Sequence, residues 1–168
     1  MISTKNIQKN SISKEQKKAL KTEANQYPSW QLTDRQICDL ELLLNGGFSP
    51  LKGFLGQEDY ESVLENMRLF DGSLWTIPIT LDVTNEFSGK IKPDSNITLR
   101  DQEGFVLAIL HVTDIWQPDL DKEALAIYGT NDTTHPAVNY LKNISNKFYV
   151  GGSLIEIEPP HHYDYQTD

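Results

Sequence analysis

The chain reads as an α+β domain built on a curled sheet or small barrel with flanking helices. Three observations predict this. Apolar residues recur at helical spacing as far as Met67, the spacing falls to two from Trp75, and short helix and strand signals then mix as far as Ile157. The length of 168 residues suits one domain, which at this size buries roughly two thirds of its unfolded surface. Hydrophobic residues at 38% and charged residues at 23% fit a globular composition, and no apolar run is long enough to span a bilayer. Neither a repeat nor a second composition regime divides the chain.

Each element has its own signal. Residues 1 to 11 are polar, and Ser13-Lys-Glu-Gln16 has capping-box spacing at the head of a lysine-rich segment running to about Asn25, which Ile12, Leu20 and Ala24 would dock. Thr33-Asp-Arg-Gln36 repeats the box ahead of a stripe of Ile37, Leu40 and Leu44, and Asn45-Gly46-Gly47 ends that helix. From Gln57 to Met67, apolar Tyr60, Val63, Leu64 and Met67 recur at i, i+3, i+4 and i+7, with Glu58, Asp59 and Glu61 favouring the positive N-terminal end. Arg68 to Gly72 then forms the exit.

Trp75, Ile77, Ile79, Leu81 and Val83 alternate with polar or proline positions, which predicts a half-buried strand that lies at an edge or carries a bulge at Pro78. Asn96 to Arg100 and Phe105 to Trp116 flank Asp101-Gln-Glu-Gly104 as a hairpin, its second strand apolar enough for burial on both faces. Asp119 to Tyr128 reads as a helix closed by Gly129, and Pro136 suits the first turn of another. Phe148 to Val150 and Leu154 to Ile157 read as strand pieces around Gly151-Gly152, and Pro159-Pro160 stops regular structure.

Charge narrows the partners. Asp and Glu outnumber Lys and Arg by 24 to 15, a formal net charge of -9, which repels nucleic acid, anionic lipid and polyphosphate at long range. Cys38 is the one cysteine, so no internal disulfide or thiolate cluster forms, and its place between Ile37 and Leu40 reads as core packing. The first ten residues lack the apolar stretch of a secretory signal. The expected location is therefore the cytoplasm, where the sequons at Asn96, Asn131 and Asn143 have no acceptor meaning.

Candidate chemistry is sparse. Neither Gly-x-x-x-x-Gly-Lys-Ser/Thr nor Gly-x-Gly-x-x-Gly occurs; Gly46-Gly47 reads as a helix stop and Gly151-Gly152 as a bulge or turn. His111, His135, His161 and His162 make no i, i+4 pair, so no metal centre is expected; His111 reads as a hydrogen-bonded strand residue and His135 as a helix cap. Glu58 with Asp59, and Asp119 with Asp121, sit at helix starts, where negative charge complements the dipole. Ser49 lacks a nucleophile elbow and an identifiable base. No catalytic residue and no cofactor site is assigned.

Several ordered stretches carry a resemblance. They are Pro28-Ser-Trp-Gln-Leu-Thr-Asp-Arg-Gln-Ile-Cys-Asp-Leu-Glu41, Asn45-Gly-Gly-Phe-Ser-Pro-Leu-Lys-Gly-Phe54, and Asp59-Tyr60 through Asn66-Met-Arg-Leu69. Asp71-Gly-Ser-Leu-Trp-Thr-Ile-Pro-Ile-Thr-Leu-Asp-Val83, Tyr128-Gly-Thr-Asn-Asp-Thr-Thr-His-Pro136, Val150-Gly-Gly152 and Pro160-His-His-Tyr-Asp164 follow. Together they resemble the N-terminal region of ATP sulfurylase, also called sulfate adenylyltransferase, from about Pro28 to Asp164. The resemblance implies a PUA-like fold, a small barrel with helices, over residues 28–168, with residues 1–27 a polar, partly helical extension in place of the family's Pro-His-Gly-Gly opening.

In that family a following α/β domain binds ATP and sulfate through a Gln-x-Arg-Asn-Pro loop, a His-x-x-His element and a Gly-Arg-Asp segment. This sequence contains none of the three. Joining sulfate to the α-phosphorus of ATP means holding two polyanions in line, with cations and backbone donors converging on them. The resemblance therefore implies a non-catalytic PUA-like domain that packs against an ATP sulfurylase-type catalytic domain, in cis in a longer parent or in trans. Arg68, Asp71 and His135 are the interface candidates. The alternative is a free-standing module for RNA or a small ligand, with net charge arguing against RNA; oligomeric state is left open.

Overall fold

The computed structural model of the chain describes residues 13–158. The polar opening to residue 11, the docking residue Ile12, the Pro159-Pro160 stop, the His161-His162 pair and the Tyr163-Asp164 landmark lie outside them. Ser13 closes its capping box on Gln16, with the two reciprocal bonds at 3.2 and 3.1 Å, and starts helix α1 (Lys14–Ala24). Leu20 and Ala24 are buried against Ile109 and Ile157. At the C-terminal end, the Thr98 hydroxyl donates to the Ala24 carbonyl at 2.6 Å, satisfying one of the acceptors a helix end leaves over. Lys21 pairs with Glu158.

Strand β1 (Ser29–Gln31) leads to α2 (Asp34–Asn45), whose Thr33–Gln36 box is also formed and whose stop is Gly46 at φ 87°. The buried line runs through Gln36, Leu40 and Leu43, with Ile37 and Leu44 half-buried beside it. Cys38, expected in the core, is exposed. It sits two residues, roughly 200° of helical rotation, before Leu40, and so faces away from the sheet.

After β2 (Gly53–Phe54), α3 (Gln57–Asn66) buries Tyr60 and Val63. Met67, expected on that apolar stripe, is instead the left-handed cap at φ 56° and is 57% exposed. The nine-residue strand expected from Trp75 shrinks to β3 (Leu81–Val83). Alternating burial holds at Ile79, Leu81 and Val83 but fails at Ile77, which is 58% exposed. Pro78 has no N–H for a ladder, and Trp75 turns its indole N–H back onto the Ile77 carbonyl at 2.6 Å.

The remainder is α4 (Asn85–Ser88), β4 (Asn96–Arg100), β5 (Val106–Trp116), α5 (Leu120–Tyr128), α6 (Pro136–Asn139) running into a π-helical turn (Tyr140–Ile144), and β6 (Phe148–Glu156). The strands form one sheet in the order β1-β4-β5-β6-β2, with β3 also on β6; β1 and β4 are parallel and the other pairs antiparallel. The unit is thus mixed α+β, and among the described residues the ladder does not close on itself. Ala108, Leu110 and Val112 of β5 face the main core while Ile109 faces α1, so both faces are covered as expected.

Gly151-Gly152 lies inside continuous β6 rather than between two strand pieces. The irregularity is across from it, in β5 between Val112 and Asp114. A Cβ on Gly152 would overlap the His111 carbonyl, and one on Gly151 the Leu55 carbonyl. Glycine is required there because three chain segments approach backbone to backbone.

Candidate functional site

Two features stand out, a cleft between α2, α5 and the π-helical turn, and the hairpin between α3 and β3. The cleft is lined by Arg35 and Asp39 of α2, Asp82 of β3, Glu123 of α5 and Tyr140, with Ile77, Pro78 and Tyr128 at its edge. Gln36 organises its floor. Its carboxamide oxygen accepts from the Trp30 indole at 2.9 Å, and its amide donates to the Asp82 carbonyl at 2.7 Å and to Oδ1 of the same residue at 2.8 Å. Asn146 N–H donates to the other Asp82 oxygen at 2.9 Å, so both carboxylate oxygens are paired.

Glu123 is 6% exposed, and its Oε1 accepts from the hydroxyls of Tyr60 at 2.6 Å and Tyr149 at 2.8 Å. Burial pushes its pKa above the ordinary carboxylate range, against the pull of the two hydroxyls and of Arg35. Burial and the nearby Glu123 charge likewise raise both tyrosines. Tyr60, Tyr149 and Trp116 pack ring against ring at 5.5 to 5.8 Å, which walls the carboxyl off from the sheet side. Asp39 is also raised by burial, opposed by Arg35, whose guanidinium lies 4.7 Å from the Tyr140 ring centre.

This arrangement holds one buried carboxyl between two tyrosine hydroxyls. Three carboxylates face one guanidinium in a space of about 70 Å³, room for a few waters and well below the roughly 300–1,000 Å³ of small-molecule sites. Among the described residues no group of His, Cys, Asp or Glu is placed to hold a metal ion, and no helix is long and apolar enough to cross a membrane.

The hairpin contains Arg68 and Asp71. Arg68 bridges antiparallel to Leu74 and donates to the Gly72 carbonyl at 3.3 Å. Asp71 accepts from Ser73 N–H at 2.8 Å, a bond that lowers its pKa. His135 lies apart, exposed, as the N-cap of α6; its Nδ1 accepts from Ala137 N–H at 3.2 Å, and its ring lies 5.4 Å from that of Tyr128. The structure therefore brings two of the three interface candidates into one hairpin and leaves the third on a separate element. Glu123 was not singled out in the sequence. The available signal was an acidic residue inside the stripe Leu120, Ala124, Ile127 at i, i+4, i+7.

A family model described as a PUA-like domain matches residues 3–159. A sulfate adenylyltransferase from Kluyveromyces lactis is 58% identical over 137 residues, covering 82% of this chain and 27% of that protein. The sulfate adenylyltransferase of Saccharomyces cerevisiae is 53% identical over 136 residues, covering 81% and 26%. A solved structure described as a hexameric APS kinase from Thiobacillus denitrificans superposes with a TM-score of 0.69 at 30% identity, over 90% of this chain and 25% of that one. The chain thus spans about a quarter of the length of the curated relatives it matches.

Proposed function

We propose, from the premise that this chain belongs to the PUA-like domain family found in sulfate adenylyltransferases, that it serves as a non-catalytic scaffold domain of that enzyme type. In this reading it corresponds to the N-terminal region and packs against a catalytic domain that joins ATP and sulfate into adenylyl sulfate and pyrophosphate. The partner is in cis in a longer parent, as in the relatives, or a separate chain. Arg68 and Asp71 on the hairpin and His135 beside the cleft form part of the contact, and the site of action is the cytoplasm.

The observation that carries the reading is that the match fills most of this chain yet only about a quarter of each relative. Electrostatics support it. A cleft with three acidic side chains and Arg35 as its one basic side chain offers ATP and sulfate few cations, and their transfer needs converging cations and backbone donors. The test is synthesis of ATP from adenylyl sulfate and pyrophosphate by the purified chain. No turnover above background is expected, and robust turnover by the chain alone defeats the proposal.

A further inference from the structure

Large apolar side chains are concentrated on one exposed hairpin. Met67 is 57% exposed, Phe70 67%, Leu74 65% and Ile77 58%, whereas no other element carries more than two exposed large hydrophobics among the described residues, Leu125 and Tyr128 of α5 being the one pair. The hairpin is rigid. Leu69 N–H donates to the Ser73 carbonyl at 2.8 Å, Trp75 N–H to the Met67 carbonyl at 2.9 Å, and Phe70 N–H to Asp59 Oδ1 at 2.8 Å. Buried Leu69 anchors it from beneath, and Trp75 meets Phe48 edge to face at 5.9 Å. A preordered apolar knob loses little freedom on association, and aromatic anchors of this kind carry most of the energy of an interface.

Beside the knob runs an open groove of about 480 Å³ whose charged lining is Glu58, Asp59, Asp71 and Asp114 against Lys52. Its potential is negative and complements Lys and Arg. About three quarters of the length of the relatives lies outside the matched part, and that polypeptide is the occupant the proposed function supplies.

Resting on the function proposed above, we infer that hairpin Met67–Ile77 docks on the remainder of a sulfate adenylyltransferase chain, Phe70 and Leu74 entering an apolar patch with a basic rim. The experiment replaces the matched residues of the Saccharomyces cerevisiae enzyme by this full chain. Hydroxyl-radical labelling of Met67 and Phe70 is then compared between the chimera and the isolated chain. Labelling of both is expected to fall at least tenfold in the chimera, with Phe105 unchanged, and Phe70→Asp with Leu74→Asp restores the labelling of Met67 without shifting the melting temperature of the isolated chain. An active chimera whose Met67 and Phe70 label as fast as in the isolated chain overturns the inference and leaves the proposed function standing. A chimera without turnover overturns both. An isolated chain that sediments as a dimer with Met67 already shielded assigns the surface to a second copy and overturns the inference alone.

Discussion

Glu123 is the residue on which the cleft turns. Its pKa is raised above the ordinary value of 4.5, so the folded state holds a proton that the unfolded state has lost over the window between the two values. The associated stability is fully present below the unfolded pKa and is lost as pH rises through the folded one. Glu123→Gln is therefore expected to flatten the pH dependence of the melting temperature over that window. Parallel curves for the two proteins would contradict this. Tyr149→Phe removes one of two donors to that carboxyl and is expected to cost about 1–3 kcal/mol, measured by urea unfolding. Gly152→Ala is predicted to prevent folding, because the new Cβ overlaps the His111 carbonyl. Gly104→Ala meets open space and pays only for φ 93°, about 1–2 kcal/mol.

At the scale of elements, local chemistry was legible wherever it was complete within a few residues. Both capping boxes, the Gly46 and Gly129 stops, the Gly104 hairpin and the His135 cap sit where the spacing placed them. Failures came where distant contacts decide. Leu81–Val83 pairs because β6 is beside it, and no such partner extends to Ile77, so an alternating pattern did not become a strand. Gln36 was read as a cap and is also the buried tie between Trp30 and Asp82, a role set 46 residues away. Gln36→Ala should thus cost more than the roughly 0.5–2 kcal/mol of a cap alone, whereas Ser13→Ala, exposed on α1, should stay inside that range; equal losses in denaturant midpoints would argue against the difference. Leu20→Ala should expose α1 amides to hydrogen exchange before the sheet opens, since α1 meets the sheet through a small cluster.

For the whole molecule, the fold class followed from the change of period along the chain, and the ordered stretches pointed to the family that the comparisons show. That the ladder stays open between β1 and β2 among the described residues was not legible, because closure depends on register between strands far apart in sequence. The same limit hid the cleft. Glu123, Tyr60 and Tyr149 are 63 and 26 residues apart in sequence, and only packing brings them to one carboxylate oxygen. A net charge of -9 and a cleft lined mainly by acidic side chains support the proposal that this domain alone does not bind ATP or adenylyl sulfate. Titration calorimetry of the purified chain with ATP and with adenylyl sulfate at low salt tests it most directly. No saturable heat is expected for either. One-site binding at micromolar affinity, abolished by Arg35→Ala, would contradict it.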